Sequence, residues 1–121
     1  MKTIPSYFFQ GMPSFNNVLT IPKGVEDIGH HAFEGCTGFD GLVLGTSLKV
    51  INEEAFFGDN DMQGVLMISN SVLYIGPYAF SGCAAFTGLQ LGTKLQEIDY
   101  GAFEDCSSMV GILSIPDSVT E

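Results

Sequence analysis

Apolar residues return along this chain at a fixed interval. Phe9, Phe33, Phe56, Phe80 and Phe103 are spaced by 24, 23, 24 and 23 residues. Six positions after each stands Phe15, Phe39, Met62, Phe86 or Met109. A leucine follows in every unit: Leu19, Leu42, Leu66, Leu89 and Leu113. Two residues on come Ile21, Leu44, Ile68, Leu91 and Ile115, and four further on Val25, Leu48, Val72, Leu95 and Val119. Ile28, Ile51, Ile75 and Ile98 then precede the next Ala-Phe pair, which is Ala32-Phe33, Ala55-Phe56, Ala79-Phe80 or Ala102-Phe103. A fixed period of this length marks units that cannot bury their apolar face alone. Stacking such units makes one continuous core, so the pattern predicts a solenoid.

Within a unit, Leu-x-Ile/Leu is strand alternation, with two inward residues flanking one outward. The second apolar pair, Val25 and Ile28 in the first unit, is three apart and fits a short extended piece that ends in a turn. No segment carries a sustained helical period, so little helix is expected. Gly11, Gly35, Gly58 and Gly82 recur after the phenylalanine as turn residues. Pro22 and Pro116 follow the Leu-x-Ile step, where a missing N–H ends the ladder. The count from Phe to Leu alternates 10, 9, 10, 9, 10. The longer units carry Val18-Leu19, Val65-Leu66 and Ile112-Leu113, the shorter ones Gly41-Leu42 and Gly88-Leu89. The duplicated unit is therefore a pair of coils, 47 residues long.

The segments LTIPKGVEDIGHHAFEGC (19–36) and LSIPDSVTE (113–121) resemble the BspA-type, or Treponema-type, leucine-rich repeat. Its pattern is approximately Leu-x-Ile-Pro-x-x-Val-x-x-Ile-x-x-x-Ala-Phe-x-x-Cys, and the likeness covers essentially the whole chain. It implies a leucine-rich-repeat solenoid of right-handed coils with a parallel β-ladder on the concave side. It also implies surface adhesion and protein recognition, at an extracellular or cell-surface location. Asp59 departs from the pattern at the Cys position, and Asn52 and Asp99 depart from it at the Gly after Ile. These departures read as loop variation.

Charge narrows the partners. Four Lys and Arg against 14 Asp and Glu leave a formal charge of −10. Too few cations are present to neutralise phosphates, which argues against nucleic acid and against anionic membranes. No stretch approaches a membrane span. Residues 2–12 do not read as a signal peptide, because Pro5, Ser6 and Gln10 interrupt any apolar run. The chain begins and ends inside a repeat and shows no polar cap at its end. It is therefore expected to be one domain over 1–121, about five coils excerpted from a longer array, or an array whose last coil is completed by something else.

Candidate chemistry is sparse. Cys36, Cys83 and Cys106 share one repeat position, three after the phenylalanine, with Met12 and Asp59 there in the other units. In-register coils hold their Cβ vectors parallel, a poor disulfide geometry, so buried small hydrophobes with weak S–H donors are expected. His30-His31 falls beside Glu53-Glu54 in stacking register, a set that could hold zinc. Consecutive turn residues diverge, however, and the neighbouring Pro77, Tyr78, Tyr100 and Gly101 offer no ligands, so no tight zinc or calcium site is expected. Asp59-Asn60-Asp61 has a calcium-like spacing, but Met62 and Gly64 break the ligand order, and a solvated loop is expected. No Gly-x-Ser-x-Gly elbow and no Ser/His/Asp pattern occurs, so neither an enzyme nor a cofactor is expected.

The outward ladder positions form the best candidate surface. One row reads Val18, Gly41, Val65, Gly88, Ile112 and the next Thr20, Val43, Met67, Gln90, Ser114. Uncharged apolar residues with glycine dips between them suit contact with a protein. The expected function is non-enzymatic recognition or adhesion of a protein ligand or host or matrix surface. The face would comprise Val18, Thr20, Val43, Val65, Met67, Gln90 and Ile112. The alternative is a structural segment whose open ends stack on other chains, which implies end-to-end self-association.

Overall fold

The computed structural model describes residues 2–11 and 18–109. Met12, Phe15, Ile112, Leu113, Ser114, Ile115, Pro116 and Val119 of the repeat columns lie outside the described residues.

Each coil contributes a two-residue strand at the end of its second apolar segment. These strands are β1 (Thr3–Ile4), β3 (Asp27–Ile28), β5 (Val50–Ile51), β7 (Tyr74–Ile75) and β9 (Glu97–Ile98). They pair in parallel, in the order β1-β3-β5-β7-β9. The isoleucines stack in register, Ile4 on Ile28, Ile51, Ile75 and Ile98. The Leu-x-Ile step supplies the other strands, β2 (Val18–Thr20), β4 (Gly41–Val43), β6 (Gly64–Met67) and β8 (Phe86–Gln90). No helix occurs among the described residues.

One ladder was expected along the Leu-x-Ile step, and here the structure differs. β2 pairs only with β4, and β6 only with β8, while the continuous ladder belongs to the second segment. The break between β4 and β6 is the boundary of the 47-residue repeat. At this boundary the longer unit enters β6 through Gly64, at φ 87°, and the register shifts between Gly64 and Val65. The alternating loop length thus leaves its mark on the hydrogen bonding.

Every apolar column enters the core. Ile28, Leu48, Ile51, Ala55, Phe56, Leu66, Val72, Ile75, Ala79, Phe80 and Leu95 are all fully buried. The repeat phenylalanines form one pile: Phe9–Phe33, Phe33–Phe56, Phe56–Phe80 and Phe80–Phe103 stack at 5.1, 5.3, 5.1 and 5.5 Å between centroids. The turns that follow the short strands also pair from coil to coil. Phe9, Phe33, Phe56 and Phe80 each donate a backbone N–H to the alanine carbonyl of the next coil, at 2.8 Å. Buried backbone groups must find partners, and here the next coil supplies them. Each of the first four described turns reverses at two left-handed positions. The second is the expected glycine, Gly11, Gly35, Gly58 and Gly82, where the fifth turn has Asp105. The first is Tyr7, His31, Glu54 or Tyr78, at φ 54° to 62°.

Candidate functional site

Three groups of side chains stand out on this scaffold. The first is the face of the paired strands. Inward Leu42 and Leu66 are buried while the residues beside them point out, as strand alternation requires. Val18, Val43, Val65 and Met67 are 53, 52, 54 and 53 % exposed, and Thr20 and Gln90 are exposed with them. Six of the seven residues expected on this face therefore share it; Ile112 lies outside the described residues. Val18 is opposite Gly41 and Val65 opposite Gly88. A Cβ on Gly88 would come within 3.3 Å of Val65 Cγ2, so each valine leans over the neighbouring glycine. At the break between β4 and β6 the face opens into a cleft of about 540 Å³. Val43, Val65, Met67, Ser69 and Gln90 line it.

The second group is the cysteine column. Cys36 Sγ donates to the carbonyl of Phe9 at 2.8 Å, Cys83 Sγ to that of Phe56 at 3.2 Å and Cys106 Sγ to that of Phe80 at 3.2 Å. No disulfide joins the three. Burial pushes the Cys83 thiol up, with Asp59 adding to the shift, and burial does the same to Cys106. Few thiolates form, so these sulfurs are poor nucleophiles. Thiol titration without reductant should find three reactive groups after denaturation. In the folded chain the half-buried Cys106 should react before Cys36 and Cys83. Fewer than three thiols in denaturant would mean a disulfide and would contradict this arrangement.

Asp59 corrects two expectations. It is neither loop variation nor part of a solvated acidic loop: it stands in the cysteine column with no exposed surface. Its Oδ1 accepts the Cys36 N–H at 2.8 Å, and Oδ2 has no partner. Burial raises its carboxyl to about 9, against the Cys36 hydrogen bond and with a smaller push from Glu34, so Asp59 is neutral at pH 7. Asp61 points elsewhere and takes the Gly38 N–H at 2.9 Å. The two aspartates share no ligand position.

The third group lies on the turns. His30 and His31 diverge. His30 meets Glu53 at 3.8 Å on the exposed side. His31 Nδ1 lies 3.0 Å from Glu34 Oε1 and 3.5 Å from Glu54 Oε1, with all three side chains about four-fifths buried. Glu34 was missing from the residues singled out by sequence. Its signal was the i, i+3 spacing from His31, which a tight turn brings together. Tyr7 stacks flat on the His31 ring, at 4.8 Å and 4°. Gln10 Nε2 donates to Glu34 Oε1 at 2.6 Å. The Glu54 carboxyl is raised, first by burial and then by the charges of Glu34 and Glu53, against the pull of His31.

The repeat pattern and this architecture have a family match. The model of the BspA type leucine rich repeat region matches residues 2–121, in six copies. The chain belongs to this family, a class of solenoids that typically serve as non-enzymatic scaffolds for protein interaction or adhesion. No curated protein and no solved structure matches the chain. No helix among the described residues is long and apolar enough to cross a membrane.

Proposed function

We propose that the chain is a non-enzymatic recognition or adhesion module that binds a protein through the face of the paired strands. The observation that carries this reading is the alignment of Val18, Val43, Val65 and Met67, each about half exposed, on one side of the solenoid. Apolar side chains in a row suit a protein contact, and burying them supplies the driving force. Thr20 and Gln90 add hydrogen-bonding capacity at the edge of the row. The cleft between β4 and β6 offers a recess for an anchoring side chain, the arrangement that concentrates binding energy at a few residues.

The test is a screen of immobilised matrix and cell-surface proteins against the chain. With a partner found, Met67→Lys should weaken binding about tenfold or more while leaving the unfolding midpoint nearly unchanged. Glu26→Lys, on the second segment, should bind as the parent does. Normal binding by Met67→Lys together with failure of Glu26→Lys would move the contact to the acidic flank. Sedimentation over a range of concentrations tests the stacking alternative. A recognition module stays monomeric until its ligand is added, whereas a stacking segment assembles by itself.

A further inference from the structure

We propose that His31, Glu34 and Glu54 form a binding site for a first-row divalent metal ion of the zinc type, with His31 Nδ1 and one oxygen of each carboxylate as ligands. The sequence pairing of His30-His31 with Glu53-Glu54 pointed away from any metal, because consecutive turn residues diverge and the next coils offer no ligand. The structure keeps His31 with Glu54, turns His30 and Glu53 away, and adds Glu34. The three ligand atoms all lie within 4.8 Å of one another.

The spacing matches a coordination sphere. Metal–ligand bonds of about 2.1 Å place ligands about 3.0 Å apart at a right angle and about 3.4 Å apart at the tetrahedral angle. His31 Nδ1 is 3.0 Å from Glu34 Oε1 and 3.5 Å from Glu54 Oε1. The remaining edge, between the two carboxylates, closes by rotation about the terminal glutamate torsion, which is soft.

The surroundings hold these ligands in place. The flat stack on Tyr7 fixes the imidazole plane. The Gln10 amide, one coil away, orients Glu34 from outside the triad, as hydrogen bonds behind metal ligands do. Charge favours a cation too. Among the described residues no lysine or arginine pairs with an acid, so no fixed positive charge offsets Glu34 and Glu54. The chain as a whole is acidic, at −10, and concentrates cations around it. One nitrogen and two carboxylate oxygens suit zinc or a similar ion better than calcium, which takes six or more oxygens. Three protein ligands leave the outer positions to water or to a ligand oxygen. The left-handed backbone at His31 and Glu54 recurs at Tyr7 and Tyr78, so it belongs to the repeat and not to the metal.

The experiment is a titration of the full chain with Zn²⁺, followed by calorimetry and by the thermal midpoint. A ligand that binds the folded state raises that midpoint. The expected result is saturable one-to-one binding at micromolar Zn²⁺ and no response to Ca²⁺. Glu34→Gln and His31→Asn should each weaken Zn²⁺ binding about tenfold or more. Asparagine tolerates the left-handed backbone of position 31, and Glu34 has no such backbone, so both variants keep the fold. His30→Asn should bind as the parent does. Co²⁺ should show a visible spectrum that His31→Asn alters. The proposal is overturned by an absence of saturable Zn²⁺ binding. It is equally overturned if His31→Asn and Glu34→Gln retain full binding, because the metal then sits elsewhere, for example on the thiols.

Discussion

Phe80→Ala lowers the unfolding free energy by about 3–5 kcal/mol, the range for removing a buried aromatic ring from a core. Phe80 has no exposed surface. Its ring lies between those of Phe56, at 5.1 Å, and Phe103, at 5.5 Å, so the cavity opens on two stacked neighbours at once. A solenoid coil touches only the coils before and after it, so few other contacts can compensate for a break in the pile. Phe103→Ala should cost less, because Phe103 is only partly buried at the far end of the described stack. Urea denaturation of both variants measures the difference. A loss below about 1 kcal/mol for Phe80→Ala would mean that the core collapses around the gap and that the pile is not its chief support.

The columns of this core were legible because a repeat writes each structural position several times. A single phenylalanine followed by turn residues says little, but five at one phase say that Phe33, Phe56 and Phe80 share one line. The same redundancy exposed the strand alternation that turns Val18, Val43, Val65 and Met67 outward. Single departures from the period were harder to read. Asp59 is polar and lies between a glycine and an asparagine, so it reads as loop, yet its column carries it inside. The split into β2 with β4 and β6 with β8 comes with a register shift at Gly64, which the 10-and-9 alternation announces without showing which ladder breaks. The turn cluster was paired as the structure has it, His30 with Glu53 and His31 with Glu54, but Glu34 was missed for a related reason. Stacking register gives the neighbours of His30 and His31 along the solenoid but not the side of the turn each one takes. That choice rests on the left-handed backbone of His31 and Glu54, which swings His31 toward Glu34 and leaves His30 with Glu53.

Asp59→Asn should stabilise the protein at alkaline pH and remove part of its pH dependence. The folded-state carboxyl lies at about 9, against an ordinary value of 3.8, with burial as the main cause. Between those values the folded chain keeps the proton and the unfolded chain releases it. Stability from this group is therefore fully present below pH 4 and is lost as pH rises toward 9, at a slope of up to about 1.4 kcal/mol per pH unit. Asparagine keeps the acceptor for the Cys36 N–H and never ionises. In place of the unpartnered Oδ2 it sets an N–H donor. By the repeat register that donor is expected to take the Phe33 carbonyl, as Cys83 and Cys106 in the same column take those of Phe56 and Phe80. Asp59→Cys restores the repeat residue and should behave alike. Urea unfolding at pH 4 and pH 8 makes the comparison. The variants should differ little from the parent at pH 4 and exceed it by about 3 kcal/mol or more at pH 8. The difference between parent and variant removes the contributions of Glu54 and the other carboxylates, which titrate in both chains. An equal gap at the two pH values would show that Asp59 carries no displaced proton, and its cost in the cysteine column would then be one of shape alone.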